Sequence, residues 1–381
     1  MSRGWLLIFL TLLAAVAVVR SGVFASGDGA WPEVEKQHSG SRQPDAAVVA
    51  TAPEDEAADD EAELPPRRAL GQMMVARFEG GKPGPAFLAR IKRGKVGGVI
   101  LFEENLRGGD ALADRIQRLQ EAAREGGNPP LLVMVDQEGG SVKRLAGPPL
   151  SAAAAMTSAS AKTEGEATGD LLAGLGIDVD LAPVADVRHP GSFLDSRAFG
   201  SQPDEVASLA CDFAAGLRSQ GVAATLKHFP GLGRATANTD ETPVTVDATA
   251  GELRADYTPY ERCAGEPLTL VMVDSAIYPE LTGPDPAVMS PLTYRRELPR
   301  AGATGVTISD DLETPAIQNQ TTPARRSILA GLDLLLYART ETTSADAYDR
   351  LLEDVEAGAI PAAKVEAAAA KVLALKAELG G

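Results

Sequence analysis

From Arg67 onward the chain repeats one unit eight times: a short apolar run, then a longer Ala-rich stretch carrying charges. The apolar runs are Met73 to Phe78, Gly98 to Phe102, Leu131 to Asp136, Val179 to Val184, Ala223 to His228, Leu268 to Val273, Gly305 to Ser309 and Asp333 to Leu336. Runs of this length without polar alternation suit strands buried on both faces. Helical stretches between successive strands dictate parallel pairing. Eight such units in roughly 315 residues predict a single α/β domain, a (β/α)8 barrel of the TIM type. A doubly wound open sheet would carry a Gly-rich dinucleotide turn after its first strand, and none is present. Helices are expected over Gly109 to Glu125, Gln202 to Gln220 and Thr322 to Gly331, with a last amphipathic helix, Pro361 to Leu379, packed outside the barrel.

Five of the runs end in polar residues: Asp136-Gln137-Glu138-Gly139-Gly140, Pro183 to Asp186, Lys227-His228, Asp274-Ser275 and Ser309-Asp310-Asp311. In a parallel barrel the C-terminal strand ends share one rim. A lone Asp there is usually the cap of the next helix, the ordinary reading for Asp311 and one of two for Asp186. Five polar clusters on one rim make a pocket the better explanation. The stretch Lys227-His228-Phe229-Pro230-Gly231-Leu232-Gly233 stands out, because a buried strand stops abruptly in a cation, an imidazole and a Gly-rich loop. Lys227 and His228 are expected to face the pocket, and the loop running through Asn238 to Asp240 to act as a mobile flap.

The N-terminus reads differently. Arg3, the apolar run Trp5 to Val19 and the small-residue pattern Val23-Phe24-Ala25 make residues 1–25 an export signal, or a membrane anchor if left uncleaved. Residues 26–66 form an acidic linker rich in Ala and Pro, with Glu54-Asp55-Glu56 and Asp59-Asp60-Glu61 and no apolar period, so disorder is expected. Residues 67–381 form the barrel domain. The formal charge of −17, about half of it in the linker, argues against nucleic acid or an anionic membrane surface as the main partner. Only Cys211 and Cys263 occur. They read as two buried small residues in preference to a bridge.

Taken together, certain stretches resemble the family 3 glycoside hydrolases, in their single-barrel branch of bacterial β-N-acetylglucosaminidases. They are Gly97 to Phe102, Asp136 to Gly140, Leu181-Ala182-Pro183-Val184, Ser196-Arg197-Ala198-Phe199-Gly200, Lys227 to Gly233, Tyr278-Pro279 and Ser309-Asp310-Asp311-Leu312. The resemblance covers the chain from about Leu70 to its end, in the family's order. It implies that Asp310 is the nucleophile of a retaining mechanism, an ionised carboxylate against an oxocarbenium-like centre. It places Asp136, Arg144, Arg197, Lys227 and His228 on positions that hydrogen-bond sugar hydroxyls, where charged partners give strong bonds. It implies no metal and no cofactor.

The chain also departs from the pattern. The branch carries an Asp-x-His dyad on the loop after Lys-His, and that His is its acid/base. Counting from Lys227 puts Asn238 and Asp240 on the two dyad positions. The chain's histidines are His38, His189 and His228, so the expectation is that Asp240 serves as a carboxylic acid/base, with Asn238 orienting it. Recruitment of His189, or Glu241 one position out of register, are the lesser alternatives. Ser141 and Ser275 stand where the family commonly has Arg and His, which loosens the preference for an N-acetyl group. The expected protein is an exported monomeric glycosidase acting on β-linked N-acetylhexosaminides such as those of cell walls. Its partner is a carbohydrate, with membrane contact only through an uncleaved N-terminal segment. The alternative is a weak or inactive glycan-binding protein on the same barrel.

Overall fold

The structure, a computed structural model, describes residues 64–107 and 110–380. The expected export signal and nearly all of the expected acidic linker therefore lie outside the described residues, as does Gly109. The eight expected strands are present: β1 (Met74–Ala76), β2 (Gly98–Leu101), β3 (Leu132–Val135), β4 (Val179–Asp180), β5 (Ala223–Phe229), β6 (Thr269–Val273), β7 (Thr307–Ser309) and β8 (Leu335–Tyr337). Each pairs in parallel with the next from β1 through β7, and β1 pairs with β8 at Met74–Leu335. Between β7 and β8 the Leu334 N–H donates to Thr307 O and the Ser309 N–H to Leu334 O, both at 2.9 Å, which closes the sheet into a barrel. Helices Asp110–Glu125, Pro203–Ser219 and Pro323–Ala330 lie within a residue or two of the expected bounds.

Side chains along these strands divide by parity, as the two-residue period of a strand requires. Val75, Ile100, Leu132, Met134, Leu270, Met272, Ile308 and Leu336 form one buried cluster inside the barrel. Met74, Val99, Leu101, Val133, Val135, Val271 and Val273 join the larger cluster between sheet and helices. The last helix, Ala362–Glu378, corrects the expectation that it packs outside the barrel: its Val372 and Leu375 belong to the interior cluster. Lys376 of the same helix, buried, donates to Gln72 Oε1 at 2.6 Å and Gly97 O at 2.9 Å. An apolar interior left open at the N-terminal strand ends would face water, so one stripe of this helix covers it.

The cysteines are a second correction. Cys211 and Cys263, 52 positions apart in sequence, form a disulfide with Cα atoms 5.9 Å apart. It joins helix Pro203–Ser219 to helix Thr258–Cys263, neighbours on the outside of the barrel. Two cysteines so far apart reveal a bridge only once the helices that carry them are packed. Replacing both, Cys211→Ser with Cys263→Ser, is expected to lower stability by about 2–4 kcal/mol, read as a fall in the urea midpoint. An unchanged midpoint would mean the thiols are unlinked in solution. Among the described residues no helix is long and apolar enough to cross a membrane.

Candidate active site

The rim at the C-terminal strand ends encloses a cavity of ≈ 350 Å³. Its lining includes Asp136, Arg144, Arg197, Lys227, His228, Asn238, Asp240 and Asp310, every site residue expected from the sequence. These residues come from the ends of β3, β5 and β7 and from the loops after β3, β4 and β5, so only closure of the barrel assembles them.

A chain of charges forms one wall. Lys227, buried at the end of β5, reaches Asp136 Oδ1 at 2.9 Å and Glu138 Oε1 at 2.7 Å. Glu138 also takes a two-pronged contact from Arg197, Nε to Oε2 at 2.9 Å and Nη2 to Oε1 at 2.8 Å. Burial by itself would raise the Glu138 carboxyl, but the charges of Lys227 and Arg197 outweigh it and hold the group down at about 2. Burial likewise opposes the charge on Lys227, and the carboxylates of Asp136 and Glu138 overcome it and raise the ammonium above its ordinary value. Behind this wall Asp180 is fully buried and, among the described residues, accepts only the Gln137 N–H, at 2.9 Å. Burial pushes it up to about 8, so near neutral pH it is mostly protonated and adds little negative charge.

Arg144 completes this side from a short hairpin, Gln137–Gly139 with Val142–Lys143. The buried Gln137 side chain staples the hairpin, accepting from the Arg144 and Leu145 N–H groups at 3.0 Å and donating to Pro148 O at 2.7 Å. Gly139 has φ +94, and a Cβ there would lie 2.4 Å from Ser151 O, so no larger residue fits this turn. The Arg144 guanidinium sits 5.4 Å from the Phe102 ring centroid and 3.7 Å from Asp136.

His228 is fixed by Asp186. The carboxylate of Asp186 pairs with His228 Nδ1 at 2.8 Å and accepts from the His228 N–H at 3.2 Å and the Leu232 N–H at 2.6 Å. Asp186 is therefore not a helix cap: it holds the imidazole and the start of the following loop together. Phe229 packs between Tyr257 and Tyr260, with ring centroids 5.2 and 5.1 Å away. The Tyr278 hydroxyl lies 3.2 Å from Gly231 O and is hydrogen-bonded to buried Asp274, whose carboxyl burial raises well above the usual range. Ser275 is buried and its Oγ has no partner among the described residues.

Two further carboxyl groups line the cavity. Asp310, at the end of β7, accepts from the Asp311 N–H at 2.8 Å. Burial, and after it the charge of Asp240, push its carboxyl up, against the pull of His228, the Asp311 N–H and Lys227. Asp240 is carried by the loop after β5 and is exposed. Asn238 turns that loop: its side-chain oxygen accepts from the Asp240 N–H at 3.1 Å, and its carbonyl accepts from the N–H groups of Glu241 and Thr242. Asn238 thus orients the backbone of Asp240. The far end of the loop is tied by the Ile277 and Val246 N–H groups, to Val244 O and Ile277 O respectively.

His189 and Glu241 lie elsewhere. Neither lines the cavity, and His189 Nε2 meets Asp256 at 3.0 Å, beside Arg234. Asp311 does accept the Glu313 N–H in a turn, as a cap would, but its other oxygen pairs with Arg339 at 3.1 Å. The sequence reading missed Glu138, Asp186 as the partner of His228, and Arg339. Glu138 lies inside the Asp136 to Gly140 stretch, and only its own burial between Lys227 and Arg197 marks it as their shared counter-ion.

Residues 67–375 match the family described as "Glycosyl hydrolase family 3 N terminal domain". The chain is 31% identical over 326 residues to an "Uncharacterized secreted glycosyl hydrolase" of Arthroderma benhamiae, covering 81% of this chain and 92% of that protein. It is 31% identical over 389 residues to the beta-hexosaminidase LpqI of Mycobacterium tuberculosis, with 96% of each covered. Among solved structures, a beta-N-acetylhexosaminidase from Beutenbergia cavernae superposes with a TM-score of 0.74 at 31% identity, covering 83% of this chain and 99% of that one.

Proposed function

Since this chain belongs to glycosyl hydrolase family 3, we propose that its rim cavity hydrolyses β-linked N-acetylhexosaminides with retention of configuration, through Asp310 and Asp240. A glycoside hydrolase acting on N-acetylhexosaminides is what its beta-hexosaminidase relatives support. The observation that carries the mechanism is that Asp310 and Asp240 line the same cavity as the wall of charged hydrogen-bonding groups.

In this mechanism the ionised Asp310 carboxylate attacks the anomeric carbon as the glycosidic C–O bond breaks. Asp240 gives its proton to the departing oxygen, and then takes one from the water that hydrolyses the glycosyl–enzyme ester. Burial, and after it the charge of Asp240, push the Asp310 carboxyl up, while His228 and Lys227 beside it favour the ionised form that attack requires. Asp136, Arg144, Arg197, Lys227 and His228 bind the sugar hydroxyls, held by Glu138 and Asp186 so that little reorganisation accompanies binding. Residues 1–25 export the enzyme, residues 26–66 form a linker to a barrel domain of residues 67–381, and the enzyme acts as a monomer on wall-type glycans. A relative described as a secreted glycosyl hydrolase supports export.

The test is leaving-group dependence. Asp240→Ala should slow a phenyl β-N-acetylglucosaminide by about 10²–10⁴-fold, and a dinitrophenyl one far less, since that leaving group needs little protonation. Azide should restore turnover with the activated substrate. Equal losses on both substrates would remove Asp240 from the acid/base role. No turnover of either substrate by the unmodified protein, with retained binding of wall fragments, would leave a glycan-binding protein instead.

A further inference from the structure

Arg339 sits just past the end of β8 and lines the cavity between the two carboxyl-bearing loops. Its backbone is fixed: the Arg339 N–H donates to Glu313 Oε2 at 2.7 Å, the Ala338 N–H to Asp311 Oδ1 at 3.2 Å and the Thr340 N–H to Glu313 Oε1 at 3.3 Å. Glu313 and Asp311 are both buried. The guanidinium is fixed at one edge, Nε to Asp311 Oδ2 at 3.1 Å, and its Nη2 donates to Asp240 O at 3.2 Å. A planar guanidinium presents donors in fixed directions, so one edge can hold an anchor while another holds a second acceptor.

We propose that Arg339 is a positioning residue that sets the separation of the two reacting carboxyl groups by tying the loop of Asp240 to the residue next to Asp310. This rests on the reading of Asp240 as acid/base. Asp311 follows Asp310 directly, and its N–H is bound to the Asp310 carboxylate. Asp240 arrives on a loop that leaves β5, and its side chain is exposed. A retaining pair requires its carboxyl groups about 5–5.5 Å apart, a distance that the Asn238 turn and the distant tie at Val244 and Val246 would by themselves hold loosely. The connection Asp310–Asp311–Arg339–Asp240 links the two through three short contacts. Arg339 acts on Asp240 through its backbone, so its loss affects proton delivery to the leaving group more than the attack of Asp310.

The experiment compares kcat/KM of Arg339→Ala and Arg339→Lys on the phenyl and dinitrophenyl β-N-acetylglucosaminides. Their ratio within one preparation does not depend on how much of the protein is folded. Misplacing a catalytic group by about 1 Å costs on the order of 10²-fold. Arg339→Ala should therefore lose about that much on the phenyl substrate and several-fold less on the dinitrophenyl one. Arg339→Lys, with one ammonium in place of the fork, should fall between. Equal losses on both substrates, or none, would overturn the proposal. If Asp240→Ala is selective for the poor leaving group and Arg339→Ala is not, the tie alone fails. If Asp240→Ala is not selective either, the acid/base reading fails with it.

Discussion

Asp310→Asn is expected to remove turnover of every β-N-acetylhexosaminide, activated or not, by on the order of 10⁴-fold or more, because loss of a covalent nucleophile is not made good by other groups. The amide keeps the shape of the carboxyl and can still accept the Asp311 N–H, so the fold and sugar binding should survive. The measurement is steady-state hydrolysis of the dinitrophenyl substrate, with binding of N-acetylglucosamine as the control. This substrate discriminates best, since it bypasses the need for proton donation and leaves attack as the step that matters. A variant that keeps a tenth of the activity would show that the attacking group lies elsewhere. An inert variant that also fails to bind sugar would point to collapse of the site and would leave the role unsupported. A mass increase of the unmodified enzyme, trapped with a slow fluorinated substrate and absent in Asp310→Asn, would identify the ester directly.

Glu138→Ala is expected to be the most destabilising single change in the cavity wall. The carboxylate is buried between two cations, Lys227 at 2.7 Å and Arg197 at 2.8 Å. Removing it leaves Arg197 without its two-pronged acceptor and Lys227 with Asp136 alone. Deleting one partner of a buried ion pair costs about 3–5 kcal/mol, chiefly because the remaining charge is stranded. The sign of the pH dependence follows from the depressed carboxyl, about 2 in the folded protein against 4.5 for an unperturbed Glu. A depressed acid contributes its stability fully above 4.5 and loses it as pH falls toward 2. The gap between the unmodified protein and Glu138→Ala should therefore be widest above about pH 5 and narrow below it. Urea midpoints across that range would test this. A gap under about 1 kcal/mol at neutral pH would mean that water already screens the cluster.

The barrel was legible because its determinants are local. Runs such as Val99-Ile100-Leu101 and Leu132-Val133-Met134-Val135 are apolar at every position, which only a strand buried on both faces requires. The rim was legible for a related reason: once strands are parallel, their ends share a face, so Asp136, Lys227-His228 and Asp310 are brought together by topology. Arg144 and Arg197 came from the family resemblance, for no period marks them. The wrong expectations concerned contacts between distant elements. The bridge of Cys211 to Cys263 depends on how two outer helices lie together, and the placement of Val372 and Leu375 depends on the apolar opening at the strand bases.

What the sequence by itself determined was therefore the strand count, the parallel order and the set of polar residues at one rim. Hydrophobic periodicity and chain connectivity act over a few residues and leave a readable pattern. Only the tertiary structure decided that Glu138 is the counter-ion shared by Lys227 and Arg197, that Asp186 holds His228, and that Arg339 spans from Asp311 to Asp240. A charge has no period and pairs with whatever opposite charge the fold brings near, while burial makes the choice of partner matter.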